Sequence, residues 1–282
     1  MDERNLAHAG RSVVAITDPD DPRIVAYRDI RERDLTGRHG FIAEGTVVLD
    51  QLALSERFRP SSVLVLRNRL SSIADRLSHL PADCPIYVSE RAVIDQIAGF
   101  PMHRGVLAHG IDTQPERSVT EVLDNAMAGY GPVLIAIGIA NHDNIGALFR
   151  NARAFGVGGV LLDDTSCNPL YRKALRVSVG TVLTADWCRS GNADDLIAAA
   201  EAAGYRPIAL TPKGEHSLDD LEPTERLALV VGAEGPGLPE NILDRLHGLR
   251  IAMESDVDSL NVATTAAIVL SRLYDSRGKC GR

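Results

Sequence analysis

Asn144 and Arg150 carry side chains suited to chemistry, and they sit in one apolar run, Asn144-Ile-Gly-Ala-Leu-Phe-Arg150-Asn-Ala-Arg-Ala-Phe-Gly156. Ile145, Leu148, Phe149, Ala152 and Phe155 recur at helical spacing, so the run predicts a helix over Ile145–Phe155 with Asn144 at its start. An asparagine there either caps the helix or presents its amide to a ligand. Arg150 makes either a surface ion pair or a bidentate grip on a phosphate, a contact that guanidinium makes better than ammonium. Arg153, nearby, is read as solvated. A second run, Leu229-Val-Val-Gly232-Ala-Glu234-Gly-Pro-Gly237-Leu, places three glycines just past an apolar stretch. Such a bend lets a ligand approach the backbone closely. It lacks the Gly-Lys-Ser/Thr of a phosphate loop, and its glycine order is not the dinucleotide fingerprint. Glu234 stands in the bend, either as a site carboxylate or as a cap for a helix expected from Pro239. A third run, Ile251-Ala-Met-Glu-Ser-Asp-Val-Asp-Ser259-Leu-Asn261-Val-Ala, leads into an alanine-rich helix. Ser259 and Asn261 both suit a helix start.

The elements around these runs alternate. Strands are expected at Val133–Ile139, Gly159–Leu162, Pro207–Thr211, Leu227–Val231 and Leu249–Ala252. Helices are expected at Ile145–Phe155, Tyr171–Val177, Ala193–Ala203, Pro239–Leu246 and Val262–Tyr274. Short apolar strands separated by helices predict an α/β fold with a parallel sheet covered on both faces. Upstream, a charged helix is expected over Asp21–Arg38. After it come a strand, glycine turn and helix around Gly40–Leu52, a buried strand at Ser62–Leu66, a helix at Arg69–Leu80, a strand at Pro85–Val88 and a helix at Glu90–Ile97. These elements describe a small α/β domain over residues 1–110. Residues 111–131 form a linker and a helix opened by the capping box Ser118-Val-Thr-Glu121. Residues 132–282 form the second domain.

Bulk properties agree with an ordinary globular protein. The chain has 282 residues, 45% of them apolar and 24% charged, which suits about two folded domains. No stretch approaches the roughly 20 apolar residues of a membrane span, and Met1–Arg11 lacks the apolar core of a signal peptide. A cytoplasmic location without membrane contact is therefore expected. Cys84, Cys167, Cys188 and Cys280 form no Cys-x-x-Cys pair, so free thiols and no metal site are expected. The net charge of −8 is unhelpful for a partner rich in phosphate. Residues 1–110 are nearly balanced, with 14 basic and 15 acidic side chains, whereas the remainder holds 16 and 23. Arg23, Arg28, Arg31, Arg33 and Arg38 form either a local basic stripe or a solvated helix face among Asp29, Glu32 and Asp34. Of the histidines, only His142 lies near the first run, where an exposed loop position is expected. His39, His103 and His109 are too far along the chain to place.

In this order the three runs resemble the signature motifs of the SpoU/TrmH group of SPOUT RNA methyltransferases. The resemblance covers about half the chain, from Val133 to about Tyr274. Upstream, Phe41-Ile-Ala-Glu44-Gly45 and His103-Arg-Gly-Val106 look like marks of the substrate-binding domain, similar to ribosomal protein L30, that precedes many such catalytic domains. The resemblance implies methyl transfer from S-adenosylmethionine (AdoMet) to a ribose 2′-hydroxyl of structured RNA, either rRNA or tRNA. It implies a SPOUT-type, mostly parallel sheet with a C-terminal trefoil knot, and a homodimer. Carried onto this sequence, the cofactor loops fall at Gly232, Ile251 and Leu260, and the polar catalytic set is Asn144, Arg150, Glu234, Ser259 and Asn261. Arg150 would hold a phosphate beside the target ribose and help activate its hydroxyl. Asn144, Ser259 and Asn261 would orient the ribose and the loop, and Glu234 would organise the site. The chain departs from the pattern at Ala252, where members often have proline. Three other readings stay open: a SPOUT base methyltransferase, an RNA-binding or ribosome-assembly protein with a cofactor pocket but no turnover, and an unrelated nucleotide-dependent α/β enzyme.

Overall fold

In the structure, a computed structural model, residues 12–28, 30, 40–99, 101–102, 104–129, 131–221 and 226–280 are described. The chain begins β1 (Val13–Ile16), β2 (Phe41–Glu44), α1 (Thr46–Leu54), β3 (Phe58–Leu66), α2 (Leu70–Ser78), β4 (Ile86–Ser89), α3 (Arg91–Ala98) and β5 (Val106–Asp112). It continues through α4 (Val119–Gly129), β6 (Val133–Ala136), α5 (His142–Ala154), β7 (Gly159–Leu162), α6 (Arg172–Val177), β8 (Trp187–Arg189) and α7 (Ala193–Ala202). The last elements are β9 (Arg206–Leu210), β10 (Leu227–Val231), α8 (Glu240–Leu243), β11 (His247–Leu249) and α9 (Val262–Cys280). Two units result: residues 1–115 with 170–184, and residues 116–169 with 185–282.

The first unit is a five-stranded sheet in the order β1-β4-β3-β5-β2. β4 pairs in parallel with β1 and β3, and β5 runs antiparallel to β3 and β2. Ile24, Tyr27, Leu64, Ile94, Ile97 and Leu107 belong to one buried cluster. Tyr27 reconciles its burial with its hydroxyl through Ser62 Oγ at 2.7 Å and the His109 N–H, which donates to it at 3.2 Å. Within the described part of the helix expected over Asp21–Arg38 (residues 29 and 31–38 lie outside the described residues), Pro22–Tyr27 forms a short 3-10 segment, bent at Ile24 and left in extended conformation at Arg28. Proline at its first position suits a start, and Asp21 caps it. Arg31, Arg33 and Arg38 lie outside the described residues. Arg23 pairs with Asp21 and Arg28 with Asp20, so these two arginines are already engaged by carboxylates.

Glu44, at the end of β2, is buried and accepts from Arg172 of α6 at 2.7 Å, with Arg176 at 3.8 Å. A buried carboxylate is tolerated because a guanidinium meets it; removing it strands that charge. Glu44→Ala should therefore lower stability by about 3 kcal/mol, read as a lower urea midpoint by circular dichroism. Glu44→Gln, which keeps an acceptor, should lose less.

The second unit is a six-stranded, wholly parallel sheet in the order β11-β9-β10-β6-β7-β8. Every residue of β6, β7 and β10 is buried, as expected for strands covered on both faces. On one face Val133, Ile135, Ala228 and Val230 meet Val122 and Ala126 of α4 and Leu196 and Ala200 of α7. α5 packs against α9. The Ser118–Glu121 capping box forms, with Ser118 N–H donating to Glu121 at 2.7 Å. Four expectations shift. The strand expected at Val133–Ile139 ends at Ala136. Asn141, not Asn144, caps α5, because its Oδ1 reaches the Asp143 N–H at 2.9 Å and starts the helix at His142. The strand expected at Leu249–Ala252 lies at His247–Leu249, where it pairs with Ile208–Leu210 and then departs. The helix expected over Pro239–Leu246 shortens to Glu240–Leu243.

Candidate active site

The carboxyl ends of the parallel strands face one side, where open α/β sheets present ligands. There, beyond β9, β10 and β11, lies a cavity of about 710 Å³. Three segments wall it: Leu210–Lys213, Val231–Leu238, and the stretch from Ile251 to Thr265. Its volume lies within the usual range of small-molecule sites, roughly 300–1,000 Å³. Apolar walls come from Leu238, Leu249, Ile251, Met253 and Leu260; Lys213, Glu234 and Asp258 add charge.

The glycine bend is built by close backbone approach. Gly237 N–H donates to Ala233 O at 3.0 Å and closes the turn. A side chain at Gly232 would meet the Gly237 carbonyl carbon at 2.4 Å and the Leu238 nitrogen at 2.5 Å. Arg250 braces the facing loop by donating to the Gly214 and Glu215 carbonyls at 2.7 and 3.1 Å.

Asn144 and Asn151 are seven residues apart on α5 and so share a face. Both reach the start of α9. Asn151 Nδ2 donates to Ala263 O at 2.8 Å, and Asn144 Oδ1 accepts from Asn261 Nδ2 at 2.9 Å. Asn261 is oriented by its other end, since its Oδ1 accepts from Ala263 N–H at 2.9 Å and caps α9. Its Nδ2 also donates to Glu234 Oε1 at 2.8 Å. Glu234 thus engages Asn261 rather than capping a helix near Pro239. The chain of orientation fixes Asn144, which is 5% exposed, with Nδ2 buried and lacking an acceptor among the described residues. An orphaned buried donor costs about 1–3 kcal/mol, which a ligand acceptor would relieve.

Gly232, Glu234, Ile251, Ser259, Leu260 and Asn261 all line the cavity, and Asn144 joins it through Asn261. Arg150 does not line it. One residue before Asn151, it is turned off the α9-facing side, exposed, and bonded to no described residue. His142 is half-buried as the first residue of α5, not in an exposed loop, and is not among the cavity residues. Cys84, Cys167 and Cys188 form no disulfide among the described residues, and burial pushes the Cys167 thiol up to about 11. It should alkylate slowly at pH 7–9, a direct mass-spectrometric measurement. Among the described residues, no group of three His, Cys, Asp or Glu could hold a metal, and no helix is long and apolar enough to cross a membrane.

The family model of the SpoU rRNA methylase family matches residues 131–271, a span that contains every one of these site residues. The chain belongs to the SpoU rRNA methylase family. An uncharacterised tRNA/rRNA methyltransferase of Mycobacterium tuberculosis is 37% identical over 270 residues, 92% of this chain and 91% of that protein. Among solved structures, an AdoMet-bound rRNA methyltransferase from Sinorhizobium meliloti superposes with a TM-score of 0.76 at 22% identity, covering 93% of this chain and 98% of the other. An RNA 2′-O ribose methyltransferase gives 0.75 at 20% identity, covering 94% and 99%. These structural likenesses show a shared fold. Sequence reasoning missed two things about the site: Asn151, whose only signal was its seven-residue spacing from Asn144, and the Leu210–Lys213 wall, which no motif marked.

Proposed function

We propose that this SpoU-family chain transfers a methyl group from AdoMet to a ribose 2′-hydroxyl of rRNA or tRNA. The observation that carries it is the Asn144–Asn261–Glu234 network at the rim of the cavity, with one amide donor left for a ligand. The named activities of the relatives support the same reading. The cavity suits AdoMet: apolar walls for an adenine ring, close backbone at Gly232, Ile251 and Leu260 for its polar edges, and Lys213 for a carboxylate. When bound, AdoMet supplies a methyl group activated by its sulfonium.

The chain's own residues then hold the acceptor. Arg150, exposed on α5 six residues after Asn144, grips the phosphate next to the target ribose, and its charge eases loss of the hydroxyl proton to solvent water. Asn144 Nδ2 donates to an oxygen of the nucleotide. Ser259, exposed at the rim, orients the ribose. Glu234 holds Asn261, and Asn261 holds Asn144. The first unit, as an L30-like domain, takes up flanking RNA. Arg69 and Arg104 fit that task, being exposed and unpaired with any described carboxylate. The active form is a homodimer.

Incubation with AdoMet carrying a tritiated methyl group and unmodified rRNA or tRNA tests this. Label should appear in alkali-resistant dinucleotides, because a 2′-O-methyl blocks cleavage at that ribose. Label in a base would assign the SPOUT base reaction instead. Calorimetric AdoMet binding without transfer to any RNA would leave a binding protein.

A further inference from the structure

We propose that Asp163 and Ser166 are positioning residues for methyl transfer, forming a buried clamp that fixes where α5 begins; this rests on the reaction proposed above. Asp163 directly follows β7, and it is 4% exposed; Ser166 is 1% exposed. Asp163 Oδ1 accepts from the Gly138 N–H at 2.9 Å, the Ser166 N–H at 3.0 Å and the Ser166 hydroxyl at 2.6 Å. Thr165 donates its hydroxyl to Oδ2. Ser166 Oγ in turn accepts from the Ile139 N–H at 3.0 Å. The backbone closes the same junction: Asp163 N–H to Ala136 O at 3.2 Å, and Cys167 N–H to Ile139 O at 2.9 Å. Arg189 braces the outer side of the loop, donating to the carbonyls of Ser166 and Asp164.

No arginine or lysine side chain among the described residues pairs with this carboxylate. Its charge is met by N–H and O–H dipoles, an arrangement that is rigid when complete and costly when broken. The clamped partner is the loop between β6 and α5, Ile137 to Asn141, which delivers Asn141 as the cap and Asn144 one turn later. A side chain at Gly138 would lie 3.6 Å from Ala233 Cβ, so the loop also abuts the residue before Glu234. In the sheet order, β6 and β7 lie to one side of β10, and β9 and β11 to the other. The clamp therefore stands across the network from the cavity, and none of its residues line that cavity. It controls where Asn144 and Arg150 sit without touching the cofactor's walls.

The discriminating experiment compares Asp163→Ala, Asp163→Asn and Ser166→Ala in the full chain, using AdoMet and the RNA that the wild type methylates. Displacing a reacting group by about 1 Å costs on the order of 10²-fold. Asp163→Ala should thus slow single-turnover transfer about 10–100-fold per AdoMet-binding site. Its AdoMet affinity, by calorimetry, should stay within about threefold. Asp163→Asn should recover most of the rate, since its amide oxygen still accepts from Gly138 and Ser166. Hydrogen exchange in the AdoMet complex should rise at residues 138–145 in Asp163→Ala and much less elsewhere. If Asp163→Ala does not fold, Ser166→Ala, which keeps the carboxylate, serves in its place. Wild-type rate per binding site, or unchanged exchange over 138–145, overturns the clamp. A wild type that transfers no methyl at all would overturn the proposed function instead, and the exchange measurement would still decide the clamp.

Discussion

Arg150→Ala should abolish most methyl transfer, by roughly 10²–10³-fold, while AdoMet affinity and thermal stability stay at wild-type values. The structure separates these quantities. Arg150 is exposed and bonds to no described residue, so alanine removes no internal contact. It does not line the cavity, so the cofactor walls are untouched. What alanine removes is the exposed guanidinium, about 120° round α5 from Asn144. Lysine at 150 keeps the charge but loses the planar fork, and should recover only part of the rate. Arg153, one turn on and also exposed, is the matched control, and its alanine variant should change transfer by no more than a few-fold. The readouts are single-turnover transfer to RNA, calorimetric AdoMet binding and the unfolding midpoint followed by Trp187, the one tryptophan of the chain. Trp187 is buried against Phe149 of α5 at 6.0 Å between centroids, so it reports the catalytic unit. Near-normal transfer by Arg150→Ala would remove this residue from the mechanism.

The sequence was most legible where period and punctuation agree. The buried runs Val133–Ala136, Gly159–Leu162 and Leu227–Val231 became central parallel strands, because four or five consecutive apolar residues between turn signals fit little else. It was least legible where elements are short or chosen by tertiary contact. β1 and β8, four and three residues long, give no period to detect. Asn141 and Asn144 are equally good caps by type, and only the reach of Asn141 Oδ1 to Asp143 N–H decides between them. β11 ends at Leu249 because pairing ends opposite Leu210, after which the chain turns to wall the cavity; residue propensity does not encode that departure. The passage of residues 170–184 into the first unit is likewise invisible in a linear pattern. It is held there by the meeting of Arg172 with Glu44, 128 positions apart. The site was legible in its residue types but not in its wiring. Nothing in the spacing shows that Asn261 ties Glu234 to Asn144, or that Asn144 keeps a donor free.

Gly232→Ala should cost AdoMet binding more than any other single methyl group added to the cavity walls. The added Cβ would lie 2.4 Å from the Gly237 carbonyl carbon, 2.5 Å from the Leu238 nitrogen and 2.6 Å from the Gly237 oxygen. All three are backbone atoms and cannot rotate aside, so the bend itself must open. Overpacking of this kind costs about 1–3 kcal/mol, and the displaced atoms belong to the cavity wall. AdoMet affinity should therefore fall about 10–100-fold, with RNA affinity in the absence of cofactor unchanged. Gly235→Ala separates crowding from backbone strain. Its Cβ would meet nothing within 4 Å, but its φ of +87° disfavours any side chain. That variant should lose about 1–2 kcal/mol of stability without forcing Gly237 and Leu238 apart. Calorimetry on both variants, at a temperature where each is fully folded, gives the comparison. If Gly232→Ala binds AdoMet as tightly as the wild type, the bend after β10 is not the wall against which the cofactor rests.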